Sequence, residues 1–571
     1  MDQILQAYLD GDYAMFFVGM LRYLMPILGA LILFRCGKPL LTFRREPEIW
    51  AWLNLKDGTQ YPITHWENVI GRSRSCDVTL KDGTVSRNHA VLTRYDDGSW
   101  TIQNISRKNA VTVGKHEVEI SALTEKDKIM VGNVEMHLQP ITKRQEQHLA
   151  ELRTKCSSTW GAAANLVLLS LFQCLMVLGF LVSSEPQHLP GILLGFGGIF
   201  CCQWLLFVFY AAIKRSSLEM ETIAFFLCTM GMAAIITVKP QESLKQVVAL
   251  VLGMVTFLVL GWSLRDLERA KKVRYLAVVM GVGFLLITLL FGEEQFGAKN
   301  WLRIAGMSLQ PSELSKVCFV FAGASTMDRI MTKRNIFLFI AYSVVICGCL
   351  ALMHDFGTAL IFFCAFLVIA YLRSGSVGTV GLAITALAFA GVLALKIAPH
   401  ALKRFVVCGH VWEYPTGAGY QQTRALMCIA SGGLLGLGPG RGWLHRVFAA
   451  DSDIVFATVS EEWGLILAVM LVLAVMVYGL FAIRSVQMAR SSFYSIGACT
   501  AASILIIQTI LNCLGTLDLL PFTGVTFPFL SNGGTSMIGA WGLLAFVKAA
   551  DTRQNASFAV VMNDGEEDEH E

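Results

Sequence analysis

Asp451 and Asp453 stand two residues apart near the end of a polar stretch, residues 398 to 457, that interrupts an otherwise apolar chain. A carboxylate at the mouth of a membrane bundle can take a proton from a hydroxyl or bind a divalent cation, Mg2+ or Mn2+. As a base it needs help, because an ordinary Asp titrates near ~3.9, so burial or a like-charged neighbour such as Asp451 must raise Asp453. Arg404, Arg424 and Arg441 lie in the same stretch and Lys299 in an earlier one. Cations of this kind can receive phosphate or lipid-headgroup charge, Arg by a two-point grip, and each alone can equally be an interfacial anchor. Glu461 and Glu462 open the next apolar run, where carboxylates at a helix N-terminus are favourable and capping explains them.

Those residues need a scaffold, and composition says which kind. Of 571 residues 54% are hydrophobic and 15% charged, with a mean hydropathy of +0.56. These values exclude an ordinary soluble domain. Runs able to cross roughly 30 Å of hydrocarbon fall near 14–34, 161–183, 191–213, 220–238, 246–264, 275–291, 312–327, 335–352, 356–372, 377–397, 458–482, 493–514 and 531–550. The chain is therefore expected to be a polytopic all-α membrane protein of about thirteen transmembrane helices. The first run follows acidic Asp2, Asp10 and Asp12 and precedes Arg35 and Lys38, so it reads as a retained anchor.

Basic groups follow alternate spans: Lys38, Arg44 and Arg45, then Lys214 and Arg215, then Arg265 to Arg274, Arg329 to Arg334, Arg373, Arg484 and Arg490. Placed in the cytoplasm, they give one alternating topology. Met1 then lies outside and Glu571 inside, and residues 292–311, 353–356, 398–457 and 515–530 face outward. The net charge of +4 says little about partners by itself, and no nucleic-acid partner is expected. The fifteen cysteines form no Cys-x-x-Cys pair or Cys/His ligand spacing and read as packing residues.

Residues 45–140 differ from the rest. Period-two apolar alternation and turn pairs at Asp57-Gly58, Asp82-Gly83 and Asp97-Gly98 predict an inserted β-sandwich on the cytoplasmic side. It carries Gly71-Arg72-Ser73, Ser86-Arg87-Asn88-His89 and Asn104 to Asn109. This pattern resembles the forkhead-associated (FHA) domain, which binds phosphothreonine peptides. The resemblance implies that Arg72, Ser86 and Arg87 hold phosphate, that Asn109 holds the peptide backbone, and that His89 braces the loop. The family's Asn-Gly pair reads Asn109-Ala110 here. Fold-only pairing with other domains is the alternative.

Four polar clusters mark the membrane part. They are Lys299-Asn300-Trp301 running to Gln310-Pro311-Ser312-Glu313-Leu314-Ser315-Lys316; His354-Asp355-Phe356-Gly357-Thr358; Tyr420-Gln421-Gln422 with Arg424, the Gly string from Gly432 and Arg441; and Pro528 to Ser536, including Ser531. Glu313 and Lys316 share a helical face and are expected to pair. Asp355 either lines a cavity or bonds a helix break. The Gly string lacks the Gly-Lys-Ser/Thr of a phosphate-binding loop.

With Asp453-Ile454-Val455-Phe456 and Glu461-Glu462-Trp463-Gly464, these clusters resemble the FtsW/RodA/SpoVE (SEDS) family over about residues 160–550. The resemblance implies a peptidoglycan glycosyltransferase that polymerises lipid II at the outer face of the bacterial cytoplasmic membrane, in division, elongation or sporulation. Asp453 matches the family's essential aspartate, and a class B penicillin-binding transpeptidase is the implied partner. The family's His-Thr-Asp reads Asp451-Ser452-Asp453, its basic residue before Trp301 is Asn300, and its Pro before Asp355 is His354. A lipid II flippase and a non-catalytic scaffold of the wall machinery are the competing classes. The expected domains are an anchor (1–44), the FHA domain (45–140), a charged linker (141–160), the multispanning glycosyltransferase (161–550) and an acidic cytoplasmic tail (551–571). The FHA domain would bring a phosphothreonine-containing protein to regulate the enzyme.

Overall fold

A computed structural model describes residues 13–42 and 48–553, apart from 75, 96, 107, 155–158, 184, 216, 296–297, 305–306, 326–332, 375–376, 398, 487 and 490. Asp2, Asp10 and Asp12, Arg44 and Arg45, Arg329, Arg490 and the acidic Asp564–Glu571 run lie outside the described residues.

Among the described residues each of the thirteen apolar runs is mostly helix, and the chain is a membrane-embedded protein. The helices are α1 (Tyr13–Thr42), α2 (Lys143–Thr154), α3 (Trp160–Ser183), α4 (Leu189–Ala212), α5 (Glu219–Val238), α6 (Ser243–Leu264), α7 (Leu267–Phe291), α8 (Pro311–Ser325) and α9 (Lys333–Leu352). They continue as α10 (Phe356–Ser374), α11 (Val377–Ile397), α12 (Pro399–Val407), α13 (Tyr420–Gly432), α14 (Val455–Trp463), α15 (Leu465–Ser485), α16 (Ser492–Thr516) and α17 (Gly534–Ala549). Among the described residues nine helices are long and apolar enough by themselves to cross a bilayer. Helix α5 is apolar on every side and buried from Met220 to Ile236, the pattern of a central helix. Trp541 of α17 anchors the packing beside it, its ring 5.2 Å from that of Phe225 and 5.5 Å from that of Phe257.

The run expected as one span at 458–482 is broken. Gly464 has φ +88, and a Cβ there would lie 2.3 Å from the Leu434 carbonyl oxygen, so only glycine fits. The break frees backbone groups that hydrocarbon cannot satisfy, and the Gly string supplies their partners. Leu437 N donates to Glu461 O and Gly438 N to Glu462 O, both at 2.9 Å, while Leu465 N donates to Gly433 O at 3.0 Å. Glu461 and Glu462 therefore sit in the last turn of α14 and do not cap a span. The Glu461 carboxylate instead accepts from the backbone N–H groups of Trp443 (2.8 Å) and Leu444 (2.9 Å).

Residues 51–140 form two packed sheets, of strand order β2-β1-β11-β10-β7-β8 and β4-β3-β5-β6-β9. Strand β1 is Ala51–Leu55, β2 Gln60–Ile63, β3 Glu67–Gly71, β4 Val78–Thr79, β5 Ala90–Arg94, β6 Trp100–Asn104, β7 Val111–Val113, β8 His116–Val118, β9 Ile120–Leu123, β10 Lys128–Val131 and β11 Val134–Pro140. The Asp-Gly turns work as their chemistry dictates: Asp57 Oδ1 accepts from Thr59 N, and Gly58 takes φ +87. Buried Arg94 stacks over Trp50 and Trp66 and pairs with Glu146 of α2, fixing the charged linker helix to the sandwich. A small antiparallel sheet of β12 (Glu293–Gln295), β13 (Ala298–Ile304) and β14 (Met307–Leu309), which the sequence reading did not anticipate, joins α7 to α8. The fourteen described cysteines are all free.

The sandwich rests on the connection between α15 and α16. Ser491 caps α16, its hydroxyl accepting from Phe493 N. Glu67, the first residue of β3, reinforces that cap from another domain: its carboxylate accepts from Ser491 Oγ and Ser492 N, each at 2.7 Å. His65 Nδ1 lies 2.9 Å from Ala489 O.

Gly464→Ala is expected to lower the melting temperature of the detergent-solubilised protein sharply, since left-handed strain alone costs about 1–3 kcal/mol before the carbonyl clash is counted. Glu67→Ala is expected to leave both domains folded while weakening the α16 cap by about 1 kcal/mol. Faster amide exchange in the peptide spanning residues 488–500 is the readout.

Candidate active site

The backbone around Asp453 is a tight, fully bonded turn. Asp453 N donates to Ala449 O at 3.0 Å and Thr458 Oγ1 to Ala450 O at 2.7 Å. The carbonyl of Asp453 accepts from Asn512 Nδ2 of α16 at 2.9 Å, and the same amide nitrogen reaches Val525 O at 2.9 Å. Ser531 donates its hydroxyl to Ser452 O at 2.7 Å and accepts from Phe527 N at 2.8 Å. It is thus a brace of the turn. Gly524 (φ +67) faces the carboxylate, and a Cβ there would stand 3.2 Å from Asp453 Oδ2.

Asp453 keeps partial solvent access although protein crowds it on most sides. Desolvation pushes its carboxyl up, to about 6. The Ser452 hydroxyl, Arg404 and Lys239 pull against that rise, and Asp451 adds to it. A carboxylate held there is a competent proton acceptor near neutral pH.

Asp451 is a different group. It is buried, with a 1% exposed side chain, and Lys239 Nζ lies 3.1 and 3.2 Å from its two oxygens. Asn532 clamps it as well, through Nδ2 to Asp451 Oδ2 (2.6 Å) and backbone N to Asp451 O (2.8 Å), and bridges onward to Glu242 Oε2 at 2.7 Å. Sequence reasoning missed Lys239, Glu242, Asn512 and Asn532 as parts of this site. One signal was present for Lys239: it is a cation between two apolar runs, at the end opposite to the one assigned to the basic clusters.

The other singled-out residues divide into supports and exposed cations. Gln421 donates to Phe448 O at 2.8 Å, tying α13 to the segment before the turn. Arg424 stacks on Tyr420 at 4.9 Å, whereas Arg441 and Arg404 are exposed. Glu313 and Lys316 form a buried ion pair at 2.8 Å on α8. Asp355 accepts from Asn300 Nδ2 (2.8 Å) and Thr358 N (3.0 Å), so it bonds the helix break at the start of α10. Lys299 Nζ donates to Leu289 O at 2.8 Å, near the end of α7, and half-buried Trp301 pairs with Glu293 across the small sheet. The segment from Pro521 to Ser536 gathers the clusters. Gly357 packs against Thr523 and Val525, Gly524 faces Asp453, and Thr535 Oγ1 accepts from Gln310 N just before α8.

Among the described residues no group of three or more His, Cys, Asp or Glu side chains is placed to hold a metal ion. With Asp451 already paired to Lys239, the donor set does not fit a resident Mg2+ or Mn2+ held by several protein ligands.

At the end of the sandwich, Arg72 N donates to Ser86 O and Ser73 N to Arg87 O. These bonds bring two exposed guanidinium-bearing residues, Arg72 and Arg87, onto adjacent loops. Ser86 Oγ lies 2.7 Å from Ser106 Oγ, and Asn109 donates its amide to Thr84 O, bracing the Ser86 loop. Burial holds the His89 pKa below its ordinary value, and the neutral ring spans from Ser86 N to Ala110 O.

Comparison with known proteins matches these two parts separately. Residues 68–132 match the FHA domain, and residues 229–556 match the cell cycle protein family FtsW/RodA/SpoVE. Peptidoglycan glycosyltransferase RodA of Mycobacterium tuberculosis is 30% identical over 325 residues, 53% of this chain and 69% of the relative. The probable peptidoglycan glycosyltransferase FtsW of Bacillus subtilis is 27% identical over 343 residues, 54% of this chain and 83% of the relative. The crystal structure of the Thermus thermophilus rod shape determining protein RodA aligns with 58% of this chain and 94% of its own, at 23% identity and a TM-score of 0.43. By the match to more than half of its length, this chain belongs to the FtsW/RodA/SpoVE family and carries an FHA domain ahead of the family's membrane part.

Proposed function

We infer that this chain is a peptidoglycan glycosyltransferase, the activity its curated relatives are named for, and we propose that it polymerises lipid II with Asp453 as general base. The observation that carries the reading is the Asp453 carboxylate itself, its pKa raised to about 6 by burial, with partial solvent access, and acted on by the cations Arg404 and Lys239. Asp453 takes the proton of the acceptor sugar hydroxyl as its oxygen attacks the anomeric carbon of the donor. The anomeric carbon–oxygen bond breaks, and the electron pair leaves on the polyprenyl pyrophosphate. Arg404 and the other exposed cations offset that charge. A divalent cation, Mg2+ or Mn2+, would enter with the pyrophosphate of the substrate and offset its charge there.

The sandwich and Asp453 lie at opposite ends of α16, since Ser492 and Asn512 are separated by about 30 Å of helix. With the basic clusters in the cytoplasm, the FHA domain faces the kinases of the cell interior and Asp453 the wall. Arg72, Ser86 and Arg87 then take a phosphothreonine of a regulatory partner, and a class B penicillin-binding transpeptidase crosslinks the product outside. The buried Gln173, Gln203 and Thr229 hydrogen-bond to one another. They act as interhelical ties, which lends no support to a flippase track at that level.

Asp453→Ala is expected to fold and to lose polymerisation of purified lipid II by a factor of at least about 10^2, measured as glycan strands formed with the transpeptidase partner present. For the wild type, activity requires the ionised base. The rate is expected to rise tenfold per pH unit below about 6 and to level off above it. Arg72→Ala is expected to weaken binding of a phosphothreonine peptide at least about tenfold, the loss of one charge-assisted contact, with polymerisation in the absence of peptide unchanged.

A further inference from the structure

We propose that Lys239 is a positioning residue for the reaction: by holding Asp451 in an ion pair it leaves Asp453 as the one carboxylate of the turn free to take a proton. The inference rests on Asp453 being the general base.

Two ionised carboxylates held close together each oppose ionisation of the other. Here the geometry separates them completely. Both Asp451 oxygens face Lys239 Nζ within 3.2 Å, and one also takes the Asn532 amide at 2.6 Å. Asp453, by contrast, turns toward the bare backbone of Gly524. Lys239 belongs to the short connection between α5 and α6, so it reaches the turn from a rigid, buried helix. With its side chain 40% exposed it is not needed to fill the core, which argues against a packing role. Glu242, on the same connection, is held off by Asn532.

The charged groups that face Asp453 are few and come from separate elements. Asp451 comes from its own turn, Lys239 from the α5–α6 connection and Arg404 from α12. Helix α16 brings neutral Asn512, and the 523–525 segment brings Thr523, Gly524 and Val525, which carry no charge. Removing the Lys239 charge therefore leaves Asp451 without its ion-pair partner beside the base and takes away a cation that favours its ionised form.

The test is the pH profile of lipid II polymerisation by the full-length protein, with melting temperature as the control for folding. Lys239→Met is expected to move the acid limb up by about one pH unit, Lys239→Arg to restore it, and Lys239→Met with Asp451→Asn to bring it back to or below the wild-type position. Asp451→Asn alone keeps the Asn532 contacts and is expected to move the limb down, which gives a second reading should Lys239→Met fail to fold. A folded Lys239→Met protein whose limb coincides with wild type, or an Asp451→Asn limb that does not move, overturns the inference. A wild-type profile with no limb between pH 5 and 7, or full activity in Asp453→Asn, instead overturns the base assignment and this inference with it.

Discussion

A charge placed among helices that meet lipid must find a partner, because desolvating it alone costs several kcal/mol. That requirement orders this structure. Glu221 lies against Lys548 at 3.3 Å and takes the Tyr210 hydroxyl; Asp551 meets Arg553 at 2.7 Å; Glu313 meets Lys316; Asp451 meets Lys239. Helices α5, α8 and α17 are pinned at their ends by these pairs. Asp355, Glu461 and Glu462 are held by neutral donors instead, and Asp453, also without an ion pair at contact distance among the described residues, differs from them in keeping partial solvent access.

The second requirement is backbone satisfaction. Breaking a helix at Gly464 would strand carbonyls and amides in a dry place, and the Gly string from Gly432 to Gly442 answers with main-chain bonds of its own. Glu461 serves the same end by taking two amides of the following turn. A Gly-rich stretch that looks like a phosphate cradle is thus a backbone plug. Its small residues are needed because two chain segments approach to carbonyl contact, as the Gly464 and Leu434 geometry shows.

How much of this was readable from the sequence depends on the range of the interaction. The helices were legible because run length against bilayer thickness is a local property, and the sandwich because Asp57-Gly58 and Asp97-Gly98 form turns by their own chemistry. The Glu313–Lys316 pair was legible because it is set by helical spacing alone. The broken span was not: Gly464 is one glycine in an apolar run, and its partner segment lies thirty residues earlier. Nor was the Lys239–Asp451 pair, whose members are 212 residues apart. The sheet of residues 293–309 escaped because its strands are short and lack a tight turn signal. Asp355 could be narrowed to two roles by sequence, and only the Asn300 and Thr358 bonds decide for the helix break.

Helix α16 has a mechanical consequence. It begins at a cap completed by Glu67 of the sandwich and ends at Asn512, whose amide holds both the Asp453 carbonyl and Val525. An α-helix is stiff along its axis, because stretching it stretches every hydrogen bond in series. Helix α16 is buried along most of its length, so the helices around it hold it laterally. A displacement of about one ångström imposed at Ser492 is then delivered at Asn512 nearly undiminished, over a span of about 30 Å. The FHA domain and the turn that carries Asp453 are in this sense joined by one helix.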